Sequence, residues 1–130
     1  LIACSPKIYI DPKEEKYIDK IINRTHTLIS ILLNKISIGY ARGGCQIIRS
    51  SAFKKINGYN SNLIAGEDVE LFNRLVKLGK IKILSGIVAY ESPRRYREKG
   101  YINVLSNWLI NYIYALLFNK SFSKEWKDIR

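Results

Sequence analysis

The chain has 130 residues, 47% of them hydrophobic and 12% aromatic, with 22 Lys and Arg against 11 Asp and Glu for a formal net charge of +11. That apolar content excludes a disordered polyelectrolyte, and the length is enough for one modest domain burying about two thirds of its unfolded surface. The charge surplus calls for a polyanionic neighbour, and nucleic acid, an anionic membrane surface and nucleotide phosphates all qualify. Cys4 and Cys45 each sit among apolar residues, and nothing in the sequence resembles a secretory leader. Both are expected to be reduced core residues on the cytoplasmic side. The sequence contains no Met and opens on Leu1-Ile2-Ala3-Cys4, which reads as the interior of a strand, so a fragment of a longer chain is expected.

Residues 1–10 read as a strand in which Pro6 marks an edge or a bulge. Asp11-Pro12-Lys13-Glu14 has the form of a helix start, with Asp at the N-cap, Pro at the first helical position and Glu reaching back. The helix is expected to run to about Lys35 and to pack on the sheet through Ile18, Ile21, Ile22, Leu28, Ile29, Leu32 and Leu33, with a membrane-surface role as the alternative that its acidic first turn and Thr-rich middle disfavour. His26, the sole histidine, falls on this helix and reads as structural or surface. In residues 36–44 the glycines Gly39, Gly43 and Gly44 permit close backbone approach or positive φ, and both a ligand and plain turn punctuation fit them. Residues 45–49 read as a short buried strand, 50–56 as one or two helical turns with a Ser cap, and 57–60 as a turn.

The most informative stretch is residues 65–79. Leu71, Leu75 and Leu78 fall at helical spacing, Val69, Phe72 and Val76 widen the apolar face, and Glu70, Asn73, Arg74 and Lys77 take the polar positions. Gly66 opens this helix and Gly79 stops it, which places Glu67 and Asp68 in the first turn, where unpaired N–H groups favour anions. Ordinary helix-start chemistry and a held pair of reactive carboxylates both account for them. Residues 80–84 and 86–90 read as two extended runs, either separate or one strand bent at Ser85-Gly86. After it come Arg94, Arg95 and Arg97, which present guanidinium groups suited to phosphate oxygens or, equally, form a solvated basic loop.

Residues 101–118 carry no charge and span about 27 Å as a helix, only just the thickness of a hydrocarbon core. Asn103, Asn107 and Asn111 repeat every four residues and give the helix a polar stripe. An amphipathic helix lying in a membrane surface or docking on a partner span, followed by a tail whose Lys120, Lys124, Lys127 and Arg130 are tempered by Glu125 and Asp128, is the expectation. A helix closing the domain core is the alternative.

In order, Gly43-Gly44 before a short strand, Arg49-Ser50-Ser51-Ala52-Phe53, Asn57-Gly58-Tyr59, Gly66-Glu67-Asp68 opening a helix with Arg74, and Ser92-Pro93-Arg94-Arg95 form a series. The series resembles the C-terminal, acceptor-side part of a family 2 glycosyltransferase with the GT-A fold. The resemblance implies an α/β fold: a partial mixed sheet flanked by helices over residues 1–100, then an amphipathic, membrane-interfacial helix and tail over 101–130. It implies inverting transfer from a nucleotide-sugar donor to a glycan or lipid-linked acceptor, at the cytoplasmic face of a membrane, in cell-surface polysaccharide or glycolipid synthesis. Asp68 would be the base and Glu67 its neighbour, Gly43 and Gly44 would let backbone pass the donor, and Arg94 or Arg95 would meet the leaving diphosphate. The family's Asp-x-Asp motif is absent from these residues. A divalent metal, Mg or Mn, is therefore expected to be held mainly by an N-terminal half outside this sequence, with no metal ligand here, and the 130-residue piece alone is expected to be inactive. Where processive members carry Gln-x-x-Arg-Trp this chain has Ser92-Pro93-Arg94-Arg95-Tyr96, which implies one sugar per encounter. The rival reading is a non-catalytic basic module that binds membrane. Scattered basic residues and the lack of a recognised motif argue against nucleic acid.

Overall fold

The computed structural model describes residues 1–127. The first apolar run forms strand β1 (Ala3–Ile10), buried along most of its length, as befits a central strand. The chain continues through α1 (Tyr17–Lys35), β2 (Ile47–Ile48), α2 (Ser50–Lys55), α3 (Glu67–Leu75), β3 (Ile81–Glu91), α4 (Arg94–Lys99) and α5 (Tyr101–Phe118). The sheet order is β2-β1-β3, with β2 antiparallel and β3 parallel to β1, so the fold is α/β with a small mixed sheet flanked by helices. Pro6 has no N–H to give the ladder, and the register breaks beside it: Pro6 lies opposite Leu84 and Lys7 opposite Val88. The irregularity expected at Pro6 is real, but the surplus residues, Ser85, Gly86 and Ile87, belong to the partner strand, which is one strand bent there.

Two small cores flank the sheet. Leu71, Phe72 and Leu75 of α3 pack against Ala3, Ala41, Ala52 and Ile81. At the other end of β1, Ile10 meets Tyr96 of α4 and Val104 of α5, with Tyr101 and Trp108 over them. The strand expected at 45–49 shrinks to Ile47–Ile48, and Ile47 is exposed because β2 forms a sheet edge. Glu70, assigned above to the polar face of α3, is buried: it takes a two-pronged contact from Arg74, which also donates to the Ile56 and Gly58 carbonyls.

The helix start expected at Asp11 is instead a turn, in which the Asp11 carbonyl accepts from the Glu14 and Glu15 N–H groups. Helix α1 begins at Tyr17, where Asp19 reaches back to the Lys16 N–H at 2.7 Å. Its orientation also reverses the expectation. Asp19, Asn23 and Ser30 are the buried residues of α1, while Ile18, Ile21, Leu28, Ile29 and Leu32 are exposed. The cause is a polar network below the helix that fixes its inner face. Asp19 meets Arg97 and the Tyr101 hydroxyl, and Asn23 accepts from Arg42 at 2.7 Å.

Helix α5 also leaves most of its large apolar residues exposed. Val104, Asn111 and Ala115 face inward, and Ile102, Leu109, Ile113, Leu116, Leu117 and Phe118 face out. Asn111 is held by Asn107 and by Ser123 of the returning tail. Among the described residues no helix is long and apolar enough to cross a membrane. Asp128 and Arg130 of the expected basic tail lie outside the described residues.

Candidate active site

Gly66 takes the left-handed conformation, φ 81°, and serves as the N-cap of α3. A side chain there would be strained, and its Cβ would lie 3.1 Å from the Asn111 carbonyl oxygen of α5. Glycine thus lets the chain turn under α5 and start α3 with Glu67 and Asp68 in the first turn. The preceding residues are clamped from the tail. Ser121 Oγ accepts from the Ile64 and Ala65 N–H groups at 2.7 and 2.9 Å and donates to the Ala65 carbonyl.

Asp68 accepts a hydrogen bond from the Val69 N–H at 2.8 Å, and the strand-side loop presses on its other oxygen. A Cβ at Gly43 would stand 2.6 Å from Asp68 Oδ2, so any side chain there would force that carboxylate to shift. Burial pushes the Asp68 carboxyl up to about 6, against the Val69 N–H, which lowers it, while the charge of Glu67 raises it further. The N–H groups of the helix start do not offset the rise.

Around Asp68 is a cavity of about 380 Å³, lined from the loop by Tyr40, Arg42, Gly43 and Gly44, from α3 by Glu67 and Asp68, and from α5 by Trp108 and Tyr112. His26 of α1, Glu91 at the end of β3 and Trp126 of the tail complete its walls. Glu91, the last residue of β3, puts the cavity at the carboxyl end of a strand, where open α/β sheets take their ligands.

Arg42 is the joint of this wall. It donates to Asn23 Oδ1 at 2.7 Å and the Ile8 carbonyl at 3.3 Å, pairs with Glu91, and lies over Trp108 with 5.6 Å to the ring centroid. Tyr40 Oη and His26 Nε2 are 2.8 Å apart. Burial and the nearby Arg42 charge hold His26 down to about 4, leaving it neutral near pH 7. Burial and the Asp68 charge raise the Tyr40 phenol, so Tyr40 keeps its proton.

Of the residues singled out in the sequence, Gly43, Gly44, Glu67 and Asp68 come together on this cavity. Arg94 and Arg95 do not line it. Arg94 donates to Ser92 Oγ at 3.1 Å, and Arg95 lies 4.3 Å over the ring of Trp126, one side chain from the cavity. Arg97 is committed to Asp19. Sequence reasoning passed over Tyr40, Arg42, Glu91, Trp108, Tyr112 and Trp126 and set His26 aside. The one available signal was that Tyr40 and Arg42 adjoin the glycine pair.

Among the described residues no group of three or more His, Cys, Asp or Glu side chains could hold a metal ion. The donor set for a divalent cation is therefore not assembled from them. What the arrangement offers is a raised-pKa carboxylate beside a second carboxylate, in a cavity with aromatic walls.

Neither the curated proteins nor the solved structures compared with this chain give a match. A family model described as the N-terminal domain of galactosyltransferase matches residues 25–99, more than half the chain and the segment that contains Gly43, Gly44, Glu67 and Asp68; the chain belongs to that glycosyltransferase family.

Proposed function

We propose that the chain is the acceptor-side part of a GT-A glycosyltransferase resembling family 2, which moves one sugar per encounter from a nucleotide-sugar to an acceptor hydroxyl with inversion. The observation that carries this reading is the Asp68 carboxylate, poised near 6 on a cavity that also holds Glu67 and the Gly43 backbone. A general base works best with a pKa near the working pH, and a carboxylate at its ordinary value would be too weak. The acceptor oxygen attacks the anomeric carbon as its proton passes to Asp68. The bond from that carbon to the diphosphate oxygen breaks, its electron pair leaving with the nucleoside diphosphate. Glu67 orients the acceptor and keeps Asp68 basic, while Gly43 and Gly44 leave room for the sugar.

Arg94 and Arg95 are assigned to the leaving diphosphate. Among the described residues neither forms an ion pair; Arg94 donates to Ser92 Oγ and Arg95 to the Lys127 carbonyl, contacts that phosphate oxygens would have to replace. The nucleotide, and any Mg or Mn it carries, is assigned to residues outside those described. The outward apolar faces of α1 and α5, together with the net charge of +11, support a seat on an anionic membrane surface at its cytoplasmic face, where a cell-surface polysaccharide or glycolipid would be built.

The test follows nucleoside diphosphate release from a panel of nucleotide-sugars, UDP-galactose first, by the enzyme that carries this chain. Asp68→Asn is expected to lower kcat by about 10²–10⁴ with the donor KM little changed. Glu67→Gln should cost less than Asp68→Asn. Unchanged turnover in Asp68→Asn would remove the base from the account.

A further inference from the structure

Beside the Asp68 cavity lies a second one, of about 470 Å³, between α1 and α5. Its walls are Ile21, Ile22, Ile29 and Leu33 of α1 and Leu105 and Leu109 of α5, without a charged side chain. The two cavities meet: His26, Tyr40, Trp108 and Tyr112 line both. A single molecule lying across them would find carboxylates and Arg42 at one end and hydrocarbon at the other. At the junction, His26 Nδ1 is buried without a hydrogen-bond partner. When the Tyr40 hydroxyl donates to Nε2, Nδ1 carries the ring proton of the neutral imidazole, a donor aligned with no protein acceptor. A buried donor left so is destabilising, and an oxygen of a bound molecule would satisfy it.

From this continuity we infer that the acceptor is amphiphilic, and that the groove between α1 and α5 is the seat of its alkyl or prenyl chain. Its hydroxyl-bearing head then lies over Asp68, and the oxygen joining head to chain lies by His26. The inference rests on the transferase reading for the role of the head group, but the groove has a readout of its own. It also accounts for α1 turning polar residues toward the sheet. The helix is anchored through Asp19 and Asn23 so that its isoleucines are left to form one bank of the groove. The outer rim is open, with Ile21 45%, Ile29 42% and Leu109 57% exposed, so a chain can enter from the side, as from a lipid layer.

The test uses octyl, decyl and dodecyl β-D-glucosides below their critical micelle concentrations, with binding to the chain followed by isothermal titration. Affinity is expected to rise about fourfold for each methylene the groove buries. Ile29→Glu and Leu109→Glu change exposed positions, and each is expected to weaken dodecyl glucoside binding at least about tenfold. A dodecyl glucoside with a nitroxide at the chain end gives a second readout on the unaltered protein. It should broaden the methyl signals of Ile29, Leu33 and Leu109. Chain-length independence, broadening elsewhere, or a loss confined to vesicle binding or self-association in the Glu variants would overturn the proposal. Failure of the transferase reading looks different: no nucleotide-sugar of the panel would yield nucleoside diphosphate while glucoside binding in the groove persisted.

Discussion

Replacing Asp68 with Asn should stabilise the fold at neutral pH. The carboxyl is raised from its ordinary 3.8 to about 6 by burial and by Glu67, so the folded protein favours its protonated form. Between those values the native state binds more proton than the unfolded chain, and stability falls as pH rises through that window. Integrated over about two pH units, the penalty is about 3 kcal/mol, complete by pH 7 and absent below pH 4. Asn keeps the oxygen that accepts from Val69 and carries no charge to desolvate. His26 contributes an opposite slope, since its pKa is held down to about 4 and stability is lost as pH falls from 6.5 toward that value. The wild-type curve alone is therefore a sum of opposing slopes, and the difference between variant and wild type isolates Asp68. Urea unfolding at pH 4 to 8 should give a difference near zero at the acid end, rising to about 3 kcal/mol in favour of Asp68→Asn. A flat difference curve would mean that Asp68 is not desolvated, and the argument for a tuned base would fail.

Gly43→Ala places a methyl 2.6 Å from Asp68 Oδ2, and the carboxylate is the group able to give way. Stability should fall only modestly, by about 1 kcal/mol, while a displacement of this order lowers kcat about 10²-fold with KM little changed; equal losses in both would point to a binding role. The Asp19–Arg97 pair should respond asymmetrically, because the Asp19 side chain is fully buried whereas that of Arg97 is 27% exposed. Arg97→Ala strands a buried carboxylate and should cost about 3–5 kcal/mol, whereas Asp19→Asn, which lets Arg97 turn to water, should cost about 2 kcal/mol. Chemical denaturation of both variants would expose the error if the order were reversed.

The start of α3 was legible because its signals are local. Gly66, two acids and leucines at helical spacing fix a helix and its first turn without reference to the rest of the chain. The partner of Asp68 was not legible, since Gly43 reaches it across 25 positions, and a glycine's neighbour is set by tertiary approach. Periodicity correctly grouped Ile18, Ile21, Ile29 and Leu32 on one face of α1 but said nothing about which way that face turns. Contacts from Arg42 and Arg97, distant in sequence, decided it in favour of Asn23 and Asp19. The Asp11-Pro12 signal misled because an Asp-Pro pair suits a turn as well as a helix start, and the carbonyl of Asp11 closed the turn. The asparagine spacing in α5 pointed to a polar stripe, and that stripe exists. Asn111 on it is buried by the returning tail, a contact that hydropathy does not encode.

The central claim is that Asp68 accepts the proton. The most direct measurement is kcat/KM for transfer across pH 5 to 9 in the enzyme carrying this chain. The account predicts an acid limb with a midpoint near 6, where Asp68 gains its proton, and the loss of that limb in an Asp68→Asn enzyme with only residual activity. An acid limb unchanged by Asp68→Asn, with turnover preserved, would contradict it.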